Sequence, residues 1–159
     1  MSQFSAIDSR MMAALSKDAR NAPKKRINHN LHSDEKSPCQ RLLNAIEPQS
    51  YIRPHRHLDE EKAETLIVLA GRVGVLAFDD TGAVSMSRIL APNSGTVGVD
   101  MPAGVYHSVV ALEPGSVIFE SKAGPYVPLA LDEKAPWAPA DGSREAADYL
   151  QFMIRQFLP

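Results

Sequence analysis

Three features of the chain predict a mainly β domain, a small barrel or two-sheet sandwich. Short apolar runs rich in β-branched residues recur along the middle of the sequence. Gly, Pro and Asp turn signals separate them, and no long helical period interrupts them. With 159 residues, 44% apolar and 23% charged, the chain is large enough for one core and not for two.

The chain reads in three parts, all within one domain: a helical arm and linker over 1–36, a β unit over 37–128, and a proline-rich connection with a last helix over 129–159. An amphipathic helix is expected near residues 5 to 20, where Ile7, Met11, Leu15 and Ala19 recur at near-helical spacing, packed on the β unit or on a second subunit. Residues 21–37 read as a polar linker holding Lys24-Lys25-Arg26, a short solvated basic run, and His29 and His32, taken as exposed loop histidines although their spacing would suit one helical face. Cys39 opens an apolar strand pattern and is expected to be a small buried hydrophobe, not a nucleophile; as the single cysteine it has no intrachain partner. Tyr51 to His57 reads as extended. Thr65 to Ala70 is a buried strand ending at Gly71, which allows a tight turn into Arg72 to Phe78, and Asp79-Asp80-Thr81-Gly82 signals a hairpin. Further strands are expected at Ala83 to Leu90, Thr96 to Met101, Val105 to Leu112 and Ser116 to Glu120. Ser143 is the expected cap of a last helix whose apolar stripe is Leu150, Met153, Ile154 and Phe157.

The candidate site residues are His55, His57, Glu64 and His107. An extended chain sends alternate side chains to one face, so His55 and His57 point the same way and can share one ion. Glu64 opens a buried strand, where a carboxylate needs a partner. His107 follows the Pro102-Ala103-Gly104 turn about fifty residues after the pair, a distance that a fold returning on itself would close. Three imidazoles and a carboxylate suit a divalent transition metal, Zn, Fe, Ni, Co or Mn, and argue against an oxygen-only Ca or Mg site. In a five- or six-coordinate ion the four leave room for substrate; in a tetrahedral one they close the site. The same alternation carries Tyr51 and Arg53 inward as the candidate catalytic pair: Arg53 to fork onto an anionic substrate, Tyr51 to hydrogen-bond or give a proton, against the plainer reading of a rim salt bridge and a core tyrosine. Glu120 and Lys122 share one face of the last strand, placed either to reach the cavity or to pair with each other.

Charge and hydropathy exclude other classes. A net charge of -2 gives no electrostatic basis for nucleic-acid binding. No apolar stretch approaches the roughly 18 residues of a membrane span, and Asp8, Arg10, Lys17 and Asp18 break up any secretory segment near the start, so a cytoplasmic location is expected.

These residues resemble the two motifs of the cupin superfamily. The first is matched at His55-x-His57 and in the Glu64 to Gly71 interval, with six residues between His57 and Glu64 where the superfamily has three or four, and without its leading Gly. Glu61 suits the shorter gap but meets Val68 where a Gly is wanted. The second is matched at Pro102, Gly104 and His107, with Ala111 in place of the closing Asn. A closer likeness covers nearly the whole chain: Cys39 to Pro48, Tyr51 to His57 and Ala135-Pro136-Trp137-Ala138-Pro139 resemble the WbuC-type cupin-fold metalloproteins of bacterial O-antigen gene clusters. That resemblance implies a single cupin (jelly-roll) β-barrel with a helical N-terminal arm and a C-terminal helix.

Functionally, the residues and the resemblance point to a metal-binding cupin with a small-molecule pocket. The first expectation is an enzyme acting on an anionic or sugar-derived metabolite of surface-polysaccharide (O-antigen) biosynthesis, by isomerisation at a Lewis-acid metal or, with Fe, by dioxygenation. A non-catalytic metal- or ligand-binding cupin and a metal-free epimerase-like barrel are the alternatives. A homodimer is expected, because the outward Thr65, Ile67 and Leu69 need cover.

Overall fold

The computed structural model describes residues 4–158. Eight strands and two helices follow in the order α1 (Ser9–Asn21), β1 (Arg26–Asn30), β2 (Cys39–Ile46), β3 (Glu64–Ala70), β4 (Val73–Phe78), β5 (Val84–Leu90), β6 (Gly98–Met101), β7 (Tyr106–Ala111), β8 (Ser116–Ala123) and α2 (Glu145–Arg155). They form two antiparallel sheets, one ordered β1-β2-β8-β3-β6 and the other β5-β4-β7.

The hydrophobic pattern explains the layering. One core cluster takes Ile46, Leu66, Val68 and Ile118 from the larger sheet and Val73, Val75, Leu90 and Val109 from the smaller, so it fills the space between them. A second cluster packs Leu76, Phe78, Tyr106 and Val110, from the other face of the small sheet, under Leu150 and Met153 of α2. A third seats Leu15 and Ala19 of α1 on Leu43, Ala45 and Val117, on the outer face of the large sheet. With both faces covered, β4 and β7 are buried at every position, which is why β4 reads as a continuous apolar run and why His107 and Ser108 of β7 are buried polar residues. Each fully buried Leu, Ile or Val among them contributes about 1.5–3 kcal/mol by leaving water.

Local chemistry sets the element ends. Asp8 caps α1 by accepting from Met11 N at 2.8 Å. Helix α1 therefore starts at Ser9, later than the apolar period alone predicts, and Ile7 is left exposed. Gly71, at φ 74°, makes the β3–β4 turn, where a Cβ would also meet Ser116. The β4–β5 turn is tied by Asp79, whose Oδ1 accepts from Thr81 N and Ala83 N. Helix α1 is joined to the large sheet by a buried carboxylate, Glu47, which accepts from Ser16 Oγ at 2.9 Å and from Gly115 N at 3.3 Å.

Five expectations are corrected. Residues 26–30 are a strand, paired with β2 from Arg26↔Ile46 to Asn30↔Leu42, and not linker. His29 and His32 therefore share no helical face, and His32 is buried, its Nδ1 accepting from Arg41 N at 3.0 Å. Arg26 is not solvated: it donates to Tyr51 O and to Ser50 Oγ and stands 3.5 Å from Asp141. Cys39 is exposed, and Ser143 does not cap α2: its Oγ is buried without a partner, and α2 begins after Arg144 with no side-chain cap.

Candidate metal and ligand site

The site is assembled where an irregular extended segment crosses the end of β7. Residues 51–57 are not a regular strand, since Pro54 has no N–H to give a ladder. Instead His55 exchanges both backbone hydrogen bonds with His107, at 3.1 and 2.9 Å. On the other side Ala135 N donates to Pro54 O and Arg56 N to Glu133 O, so the 133–135 stretch of the proline-rich connection pins the segment from above. Gly104 N donates to His57 O at 2.7 Å and holds the Pro102-Gly104 turn against it.

This clasp brings His55, His57 and His107 together, with ring centroids 5.6, 4.7 and 6.2 Å apart. Glu64, 4% exposed at the first position of β3, reaches into the same cluster. Its Oε1 lies 2.9 Å from His57 Nε2 and its Oε2 3.1 Å from His107 Nε2. Lys122, its register partner on β8, donates to Oε1 at 2.6 Å and bridges to Glu120 at 2.7 Å. Both readings of Glu120 and Lys122 therefore hold: they pair, and they face the cavity. Glu120 is further held by Asn44 Nδ2 at 2.6 Å.

The imidazoles are oriented from behind. His55 Nδ1 is 3.0 Å from Arg53 O and His107 Nδ1 is 2.8 Å from Val105 O, which requires an N–H at each Nδ1. That turns both Nε2 atoms toward the cavity, the nitrogen that metal-binding histidines with a carbonyl-held Nδ1 present to an ion. His107 then carries a specific demand. Its Nδ1 faces a carbonyl and its Nε2 faces a carboxylate, so a neutral ring would set two acceptors against each other at 3.1 Å. A second proton or a metal cation has to stand between His107 and Glu64. Behind His57, Glu133 Oε1 lies 3.9 Å from Nδ1 and is itself held by Leu58 N.

The electrostatics agree. Burial disfavours the charged form of Glu64, but hydrogen bonding with His107 and His57 and the Lys122 charge outweigh it and hold the carboxyl well below its usual range. Burial, reinforced by His107, pushes His55 down to about 3, so its ring is neutral at ordinary pH although part of it faces open cavity. Burial also opposes the Lys122 charge, yet Glu120 and Glu64 raise its pKa above the usual value.

Among the described residues, no group of three or more His, Cys, Asp or Glu side chains stands ready-arranged around a metal position. The reason is visible in the contacts: the Glu64 oxygens are occupied by His57, His107 and Lys122. By chemistry the donors fit a transition metal, with three imidazoles, one carboxylate, carbonyls fixing two of the rings and a gap at His107 that calls for a cation.

The candidate catalytic pair separates. Arg53 borders a cavity of about 300 Å³ that His55 also lines, with Nη2 donating to Ala135 O at 2.7 Å and Nε buried without a partner. Tyr51 turns the other way. Its hydroxyl donates to Pro139 O at 2.8 Å, its ring stacks edge-on to Tyr149, and burial raises its phenol pKa above the usual range. It borders instead a surface groove of about 700 Å³, which none of the four candidate ligands lines. Alternation fails between Tyr51 and Arg53 because the segment is pinned by loop contacts and not by a ladder. Glu133 and Lys134 escaped the sequence reading because nothing in a proline-rich stretch marks a residue that returns to a site eighty positions earlier. Lys122 carried a signal in its spacing from Glu120.

The family model described as a domain of unknown function, DUF6016, matches residues 7–90, or 84 of the 159. The chain belongs to the DUF6016 family. The match takes in His55, His57 and Glu64 and stops short of His107. No curated protein matches the chain. Solved structures similar to it include KdgF from Halomonas sp., at 19% identity and a TM-score of 0.51, over 67% of this chain and 84% of that one. TT1209 from Thermus thermophilus is similar at 21% identity and a TM-score of 0.52, over 76% and 97% of the two chains. A recombinant oxalate oxidase in complex with glycolate is similar at 14% identity and a TM-score of 0.51, over 66% of this chain and only 54% of that one. The structural neighbours are cupin-fold proteins, and at these identities the likeness shows the fold. The two antiparallel sheets with two helices are that fold's architecture.

Removing the Lys122 charge tests the buried network. Lys122→Met should cost about 1–3 kcal/mol at pH 7 by leaving Glu64 and Glu120 short of their cation. Because the folded-state pKa of Glu64 is lowered, its contribution is complete above the unfolded value near 4.3 and is lost as pH falls through the folded value. The difference between variant and wild type should therefore shrink in denaturant melts run below about pH 4. A variant as stable as wild type at pH 7 contradicts the network.

Proposed function

We propose that the protein is a cytoplasmic metal-binding cupin whose chamber takes a small anionic molecule. Its nearest functional setting is that of the WbuC-type cupins it resembles, as an enzyme on an anionic or sugar-derived metabolite of O-antigen biosynthesis. The observation that carries the metal is His107, which has an acceptor at each ring nitrogen and so takes either a proton or a metal cation at Nε2, beside two further imidazoles. His55, His57, Glu64 and His107 would hold the ion. Once bound, a divalent transition metal supplies Lewis acidity toward a coordinated oxygen or, as Fe, redox chemistry.

The chain's own residues do the rest. The carbonyls of Arg53 and Val105 keep the Nδ1 protons in place, so that the Nε2 atoms of His55 and His107 would be the ones presented to the ion, with an affinity that falls as pH falls because ligands must be deprotonated. Arg53 offers a planar cation to an oxyanion beside His55. The 133–135 stretch and its Glu133 anchors keep the extended segment fixed over the chamber and limit water entry. An oxalate oxidase solved with glycolate among the structural neighbours supports small carboxylates as the ligand class. Tyr51, committed to Pro139, favours a Lewis-acid or purely binding role over one in which a phenol donates the proton. The non-catalytic metal-binding reading rests on the same contact, because it withdraws the one phenol of the candidate pair from acid–base chemistry.

Elemental analysis of protein purified without a tag or chelating resin tests the metal. About one equivalent of Zn, Fe, Mn, Ni or Co in wild type, lost in His55→Ala/His57→Ala, is expected. Protein that carries no metal and takes none up on titration overturns the reading.

A homodimer is part of the proposal: of the outward residues of β3, Leu69 packs on the α1 cluster, but Ile67 is 38% exposed and lies outside that cluster. Sedimentation at micromolar concentration should show twice the 17.4 kDa chain mass, and Ile67→Asp should return it to one. A wild-type protein that sediments as a monomer contradicts it.

A further inference from the structure

His55 borders three cavities at once, of about 240, 180 and 300 Å³. Five cationic side chains line them: Arg26, Arg53, Lys62, Lys122 and Lys134. Only three carboxylates do, Glu64, Glu120 and Asp141. Among the described residues, the walls of these adjoining cavities thus carry an excess of two positive charges in a chain whose net charge is -2.

All three carboxylates are already engaged by cations. Lys122 bridges Glu64 and Glu120, and Arg26 stands 3.5 Å from Asp141. Arg53, Lys62 and Lys134 are left, and among the described residues none of them has a carboxylate within ion-pair distance. Glu133 lies close enough to Lys62 to feel its charge, but it lines none of the three cavities. Half-buried cations short of counter-charge lose hydration without full compensation, so an anion from outside is favoured there.

The unpaired charges are spread, not concentrated. Arg53 and Lys134 share the 300 Å³ cavity, Lys62 and Lys134 the 240 Å³ one, and the two meet at His55 and Leu129. A compact dianion such as phosphate would satisfy one lobe and leave the other bare. Two anionic groups separated by a short carbon chain match both, and the volumes suit a metabolite of a few carbons. We propose that the ligand of this chamber is a small dicarboxylate, and that Lys134, common to both lobes, is the residue that selects it over a monocarboxylate. This deepens the reading of the chamber as a ligand site and rests on it.

The test is calorimetric titration of wild type, Lys134→Met and Lys134→Arg with succinate, butyrate and inorganic phosphate, on zinc-loaded and metal-free protein, with zinc stoichiometry measured on each sample. Succinate should bind wild type about tenfold or more tightly than butyrate or phosphate. Lys134→Met, which keeps the stem and the backbone bridge to His55, should erase that preference at unchanged zinc stoichiometry, and Lys134→Arg should keep most of it. Equal binding of succinate and butyrate, a Lys134→Met protein that still prefers succinate, or no succinate binding in either form overturns the inference. Failure to take up zinc with a Lys134-dependent preference for succinate intact would sink the metal reading and leave this one standing.

Discussion

A carboxylate that is 4% exposed stays ionised only if something positive stays with it, and the site is organised around that constraint at Glu64. Its partners come from three parts of the chain: His57 from the extended segment, His107 from β7 and Lys122 from β8. Each is delivered by backbone pairing. The β3–β8 register sets Lys122 beside Glu64, and the His55–His107 exchange sets the imidazole cluster across from it. A one-residue slip of β8 would turn Lys122 to the other face of the sheet. The sheet topology and the charge cluster are thus coupled, because neither the carboxylate nor the register is favourable without the other.

The cluster is also what separates a binding site from a core. Between the sheets the filling is Val, Leu and Ile, and the polar atoms appear where the extended 51–57 segment replaces regular pairing at the end of β7. There the backbone is held by single bridges to His107 and Lys134, so side chains from the chamber wall and from the proline-rich connection converge on one space. Irregular backbone at this edge positions the candidate ligands, and the two covered sheets beneath it supply the rigidity.

Much of this was legible in the chain. The runs expected from Thr65 to Ala70 and from Arg72 to Phe78 became strands within one residue of their expected ends, because turn chemistry at Gly71 and Asp79 marks the boundaries locally. The four candidate ligands lie together, as their place in the two-motif pattern implied. Strand β1 was not legible: Arg26-Ile27-Asn28-His29-Asn30 has little apolar alternation and pairs at the edge of a sheet, where a polar strand is normal. Tyr51 was misplaced by assuming that a period of two survives Pro54 and the pinning contacts around it. Lys134 and Glu133 act through tertiary approach alone, and no local pattern encodes that.

The central claim is that a cation stands between His107 and Glu64. Nitrogen-15 NMR of the histidine rings during zinc titration reads it directly. The Nε2 of His107 is predicted to shift as one equivalent of zinc is added, while its Nδ1 keeps its proton toward Val105 O. A His107 Nε2 signal that does not respond to zinc would contradict the account.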